Sequence, residues 1–317
     1  MTQTQNTWHI LGAGAIGCLW AIRMKKAGIP VRLILSERKL HSLLSDSALD
    51  LEFLCEFSLS SAEYVTLNVA GTGEKPRNVL LATKANDAYS ALHSRKDKLD
   101  DCQNLVTLCN GMGYHAAIQE LLPAANLFAI STTDGAYFQR ESSLVMAGKG
   151  TNKISRLVCD RDEHKRTLES IARQLSTPGH RLHPRVNADR MLMDKLLINA
   201  CVNGLTAIHN CRNGELLAIG AAQRELYQLI EECQTLAAAS GFSRLAQQLP
   251  ARVSQVINAT QSNYSSTCMD IKLGRKTEID YINNYLCNIA AVLDMQAPMN
   301  KKIVSAIRQL ETSAPRP

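Results

Sequence analysis

The sequence predicts an α/β protein in which an N-terminal, doubly wound domain over residues 1–186 is followed by an all-α C-terminal domain over residues 187–317. Three observations predict it. Short apolar runs alternate with helical stretches over residues 8–184, and the texture changes to almost pure helical periodicity around Val186. The length of 317 residues is more than one hydrophobic core usually supports.

The apolar runs are 8–11, 31–35, 79–82, 105–108 and 127–130. Such runs alternating with helical stretches read as a doubly wound parallel sheet. Residues 51–69 form a strand-like, less regular insertion, and 143–158 reads as further β structure closing the edge of the domain. Beyond it the helical segments are 188–209, 215–240, 243–261, 277–294 and 300–311, broken at Asn210, Gly214, Gly241 and Pro298. Pro250 is expected to split or kink the third, because proline lacks the N–H and crowds the preceding turn.

Composition excludes several classes. With 45% hydrophobic and 20% charged residues the chain is an ordinary soluble one, neither disordered nor collagen-like. Its net charge of +6 comes from dispersed Lys and Arg, which argues against nucleic-acid binding while suiting anionic small molecules. Ten cysteines without a CxxC pair read as reduced, mostly buried thiols. No run of about 18 apolar residues occurs and residues 1–7 are polar, so a cytoplasmic protein without a membrane segment is expected. His180 and His183 have no acidic or cysteine partners at ligand spacing, so no metal is expected. Loop polarity accounts for Thr132, Thr133 and Asp134.

The chemistry begins at Gly12-Ala13-Gly14-Ala15-Ile16-Gly17, a GxGxxG between the first apolar run and a helical stretch that Gly28 would stop. Here Gly12 serves the tight turn, Gly14 lets backbone approach a pyrophosphate, and Gly17 lets helix and strand pack closely. The phosphates would rest on a helix N-terminus, where N–H groups and the helix dipole favour negative charge. The N-terminal domain is therefore expected to be Rossmann-like. Cofactor choice turns on the end of the second strand, Leu35-Ser36-Glu37-Arg38-Lys39. Ser36 holds the discriminating place with Arg38 and Lys39 within reach of a 2′-phosphate, which points to NADP (NADPH). If Glu37 faces the ribose instead, NAD fits.

In the helical half, Lys195, Asn199 and Asn203 recur at i, i+4 spacing and share one helix face. Leu196, Leu197, Ile198 and Val202 make the other faces apolar, so the helix should be buried almost all round. A lysine so placed is unfavourable unless a carboxylate meets it in space.

Four later segments join the glycine loop in order. They are Leu81-Ala82-Thr83-Lys84-Ala85, then Cys109-Asn110-Gly111-Met112-Gly113, then the 194–208 stretch with K-L-x-x-N-x-x-x-N-x-L-T-A, and last 263–284 with S-S-x-x-x-D-I and T-E-I-D-Y-I-N. Together they resemble the ketopantoate reductase (2-dehydropantoate 2-reductase) family over most of the chain. Two neighbours of the motifs depart from it: Gly204 stands where proline is expected, and Cys109 where a polar residue is familiar.

The resemblance implies hydride transfer from NADPH to the C2 carbonyl of a 2-oxoacid, with Lys195 stabilising and protonating the oxygen. It implies that Glu278 orients Lys195 or grips a substrate hydroxyl. Asn199 and Asn203 would bond the substrate's hydroxyl, and Ser266 with Asn263 its carboxylate. Lys84 and Asn110 would line the cofactor and substrate cleft. A monomer or homodimer acting on a small molecule is the expected assembly. The alternatives are another hydroxyacid or opine-type dehydrogenase of like architecture, and a dinucleotide sensor without turnover.

Overall fold

The computed structural model describes residues 6–36, 50–58, 61–71, 73–140, 142–157 and 162–313. In chain order the first elements are β1 (Trp8–Leu11), α1 (Ala15–Lys26), β2 (Val31–Ile34), β3 (Asp50–Ser58), β4 (Ser61–Asn68) and β5 (Asn78–Leu81). There follow α2 (Ala85–His93), β6 (Asn104–Thr107), α3 (His115–Leu121), β7 (Asn126–Thr132), β8 (Gly135–Arg140), β9 (Ser143–Gly148) and β10 (Asn152–Arg156). This part ends with α4 (Asp162–Leu175) and β11 (Leu182–Pro184). Among the described residues that follow, the α-helices are α5 (Ala188–Ile208), α6 (Gly220–Ala239), α7 (Ser243–Ala259), α8 (Ser266–Lys272), α9 (Asn283–Val292) and α10 (Pro298–Ser313).

Two compact units result, one comprising Met1–Cys109 with Tyr114–Met191 and the other Asn110–Gly113 with Leu192–Pro317. In the first, a seven-stranded sheet runs in the order β11-β10-β7-β6-β5-β1-β2. Strands β7, β6, β5, β1 and β2 are parallel, and β10 joins antiparallel to β7. Trp8, Ile10, Leu33, Leu80, Val106 and Phe128 are buried, which explains the apolar runs of the sequence. The strand order reverses at β1, and ligands of such sheets bind at the carboxyl edge beside that switch point.

The 51–69 and 143–158 segments do more than close an edge. Strands β3 and β4 form a hairpin, β9 pairs parallel to β3, and β8 completes a second, four-stranded sheet. Only β10, from the end of the 143–158 segment, lies in the main sheet. A buried ion pair links α1 to the turn before this second sheet: Arg23 Nη1 donates to Asp134 Oδ2 at 2.5 Å, and Gly150 N donates to Asp134 Oδ1 at 2.7 Å. Asp134, read from sequence as loop polarity, is thus a buried staple on the helix that follows the glycine turn.

The second unit is helical as expected, with corrections of detail. Helix α7 runs through Pro250 without a break. Proline leaves the carbonyl of Ala246 without its intrahelical donor, and the Gln234 side chain of α6 donates to that oxygen at 2.8 Å. The expected helix 277–294 starts only at Asn283; before it Ile279–Tyr281 forms a single 3₁₀ turn with Glu278 at its N-cap. Helix α8 was not anticipated, and α10 begins at Pro298 itself, a favourable first-turn position for a residue without N–H. Gly204 has a packing reason: a Cβ there would lie 2.3 Å from Ile303 Cγ2 of α10. Helix α5 is long and apolar enough to cross a membrane, but 72% of its apolar window is buried in the protein, which marks a core helix.

The staple has a pH signature. Burial pushes the Asp134 carboxyl up, but the Arg23 guanidinium and the Gly150 N–H outweigh it and hold it below its ordinary value. The pair therefore stabilises the fold above about pH 4, the unfolded value, and that contribution is lost as pH falls through the lower folded value. Asp134→Asn should cost about 3–5 kcal/mol by leaving Arg23 buried and unpaired. Urea unfolding across pH 3 to 7 is the check: the variant should lose less stability than wild type on acidification.

Candidate active site

The glycine turn is built from space rather than from side chains. Gly12 has φ +113°, and a Cβ there would lie 2.6 Å from Ala82 C and Thr83 N in the stretch after β5. A Cβ on Gly17 would meet Gly12 O at 2.0 Å. Gly14, the N-cap of α1, is exposed with nothing within 4 Å of its missing Cβ and no side-chain cap. Ala13, Ala15 and Ile16 pack against the core of the sheet. The result is a closed turn with one open side at a helix N-terminus, whose first N–H groups have no intrahelical acceptor, and a pyrophosphate fits there.

Ser36 is exposed just past β2, and Lys84 is the half-buried N-cap of α2 just past β5. Both follow carboxyl ends of strands that flank β1. Arg38 and Glu37 lie outside the described residues.

In the helical unit three predicted residues meet. Lys195 Nζ donates to Asn110 Oδ1 at 2.7 Å, and Asn110 Nδ2 donates to Glu278 Oε2 at 2.8 Å. An ammonium can only donate and a carboxylate can only accept, so the amide between them has its orientation fixed by charge. Glu278 is 7% exposed, while Lys195 and Asn110 are half-buried. The carboxylate next to Lys195 in sequence, Asp194, is taken by Arg252 of α7. Glu278 thus reaches Lys195 through Asn110, a bridge that the sequence reading did not foresee when it put Asn110 in the cofactor and substrate cleft.

Backbone contacts hold the bridge. Gly111 has φ +83°, and a Cβ on it would lie 2.3 Å from Tyr281 O, the same carbonyl that accepts from Met112 N at 2.8 Å. The 277–284 block is in turn tied to α10, because Glu311 Oε1 accepts from Thr277 N at 2.7 Å and from Thr277 Oγ1 at 2.6 Å. Neither Tyr281 nor Glu311 carries a sequence signal for this role, since one acts through its backbone and the other lies on a distant helix.

Asn199 and Asn203 lie one and two turns along α5 from Lys195, both half-buried. Ser266 opens α8, exposed, and the preceding Ser265 ties that helix to α5. Ser265 Oγ donates to Asn203 O at 3.3 Å, accepts from Thr206 Oγ1 at 2.7 Å, and caps α8 by accepting from Cys268 N at 3.1 Å. Asn263 is exposed three residues earlier, its carbonyl accepting from Asn213 N at 2.9 Å.

The groups brought together here are an ammonium, an amide and a carboxylate, which donate and accept hydrogen bonds. Burial pushes the thiol of Cys102 up to about 12 and those of Cys55, Cys211 and Cys287 up to about 11. Among the described residues no group of three or more His, Cys, Asp or Glu side chains could hold a metal.

A parallel sheet with a glycine turn at its switch point, followed by a helical unit with a polar lysine face, defines the class of dinucleotide-dependent oxidoreductases. Residues 8–158 match the family described as Ketopantoate reductase PanE/ApbA, and residues 187–311 match its C-terminal domain. The chain belongs to this family. It is 28% identical to the 2-dehydropantoate 2-reductase of Escherichia coli O157:H7 over 321 residues, covering 97% of this chain and 98% of that one. Two solved structures share its fold at 21% identity. A PanE/ApbA family ketopantoate reductase from Ralstonia eutropha JMP134 superposes with a TM-score of 0.82, and D-mandelate dehydrogenase with NADH and anilino(oxo)acetate with 0.85. Each alignment covers 97% of this chain and 99% of the other.

Gly111→Ala should cost about 1–3 kcal/mol for the positive φ alone, and the displaced backbone should take Asn110 off Lys195. A fall in kcat larger than the fall in stability, read from steady-state rates beside urea unfolding, is the expected result.

Proposed function

We propose that the protein is a cytoplasmic NADPH-dependent 2-oxoacid reductase that converts 2-dehydropantoate to pantoate, the step that supplies pantoate for pantothenate and coenzyme A. The observation that carries this reading is the chain Lys195, Asn110, Glu278, a proton donor held by an amide against a buried carboxylate. Family membership and the full-length likeness to 2-dehydropantoate 2-reductases support the substrate.

Gly12, Ala13, Gly14, Ala15, Ile16 and Gly17 would hold the pyrophosphate of the dinucleotide on the N-terminus of α1, with Ser36, Arg38 and Lys84 toward its ribose and nicotinamide ends. When bound, the dihydronicotinamide supplies a hydride to the carbonyl carbon of the substrate. Lys195 donates a hydrogen bond to the carbonyl oxygen and then passes it a proton as negative charge develops there. Asn110 fixes the direction of the ammonium, because its Oδ1 accepts from Lys195 Nζ at 2.7 Å. Glu278 holds that amide from its other side, accepting from Asn110 Nδ2 at 2.8 Å. Asn199 and Asn203 bond the substrate's hydroxyl, and Ser266 with Asn263 its carboxylate.

Two measurements test this. NADPH consumption against a panel of 2-oxoacids, repeated with NADH, should favour 2-dehydropantoate and NADPH; preference for another 2-oxoacid or for NADH would replace that part of the reading. Lys195→Ala should lower kcat by roughly 10²–10⁴-fold, the usual worth of a positioned general acid, while the Kd for NADPH changes little. Near-normal turnover in that variant overturns the mechanism.

A further inference from the structure

A second basic group reaches the end of β2 from a part of the chain far from the glycine turn. Arg95 follows α2, and its Nη2 donates to the carbonyl of Leu35 at 2.5 Å. Leu35 immediately precedes Ser36, the position at which a sheet of this type discriminates the ribose 2′ substituent. The guanidinium is half-buried in a cleft lined also by Ile34, Leu35, Lys98 and Leu99. Among the described residues neither Arg95 nor Lys98 has a carboxylate within ion-pairing distance. Among the described residues the one acid lining the cleft, Glu74, is already engaged by Arg32, by His9 at 2.8 Å and by Gly71 N at 2.8 Å. A guanidinium has five N–H donors in a planar fork suited to phosphate, and one bond to a carbonyl leaves the fork largely unspent.

We propose that Arg95 is a cofactor-specificity residue, its guanidinium bonding the 2′-phosphate of NADPH beside Ser36. The inference rests on the NADPH reading above and assigns to it a residue that no strand-end motif contains. Ser36 itself is neutral and short, so the charge that separates NADPH from NADH has to come from basic groups around it, of which Arg38, two positions on in sequence, is one and Arg95 a second. Arg95 supplies it from a fixed point, with Lys98 adding positive charge along the same cleft. Its bond to Leu35 O holds the guanidinium in place before the cofactor arrives, which reduces the entropy lost on binding.

The test is fluorescence titration of the full-length protein with NADPH and, separately, NADH, for wild type, Arg95→Ala and Arg95→Gln. The glutamine retains a donor for Leu35 O and removes the charge, so it isolates the phosphate contact from support of the backbone. Both variants should weaken NADPH by about tenfold to hundredfold, the range for a hydrogen bond to a charged group, and leave NADH within about twofold of wild type. Equal weakening of the two cofactors by Arg95→Gln, or an unchanged NADPH preference, overturns the assignment while the NADPH reading stands. A wild type that binds NADH more tightly than NADPH overturns both, and that result is visible before any variant is made.

Discussion

The amide of Asn110, caught between an ammonium and a carboxylate, is the constraint around which the helical unit is arranged. The amide accepts from one partner and donates to the other, so the two charges together set its orientation. The geometry is unforgiving because the amide is carried by a short glycine-containing segment whose backbone lies against Tyr281. That is why residues with no chemistry of their own, Gly111, Thr277 and Glu311, matter to the site.

The dinucleotide end is organised on the opposite principle, by the absence of side chains. Gly12 and Gly17 close the turn onto its own backbone and onto Ala82, while Gly14 leaves one side open. Nothing in such a turn fixes the helix that follows, and the buried pair of Arg23 with Asp134 does so from the other end of α1. The pair thus steadies the helix whose N-terminus closes the turn.

What the sequence made legible follows from what is local. The five parallel strands could be read because each carries a short, mostly buried apolar run, and the lysine and asparagine face of α5 because i, i+4 spacing is a property of one helix. The second sheet could not be read, since β3 finds its parallel partner β9 beyond the whole of three intervening main-sheet strands. The start of the 277–294 segment looked helical by composition, yet the capture of Thr277 by Glu311 and the bond from Met112 N to Tyr281 O hold it in an irregular path. Pro250 was misjudged for the same reason: its remedy, Gln234, belongs to another helix. Asn110 was legible as a site residue, but its partners stand 85 and 168 positions away, and no spacing rule connects them.

One carboxylate outside the site has a longer reach than its place suggests. Glu232 accepts from Met299 N, Asn300 N and Asn300 Nδ2, each at 2.8 Å; Asn300 Oδ1 accepts from Asn283 Nδ2 at 2.9 Å, which also donates to Ala200 O at 3.0 Å. Ala200 lies on α5 between the two asparagines of the polar face. A helix with apolar residues nearly all round can slide in azimuth with little change in its buried area, and one residue of slip turns it by roughly 100°. The relay from Glu232 gives that cylinder a keyed position, so the aim of its polar stripe is set by a bolt on its far side.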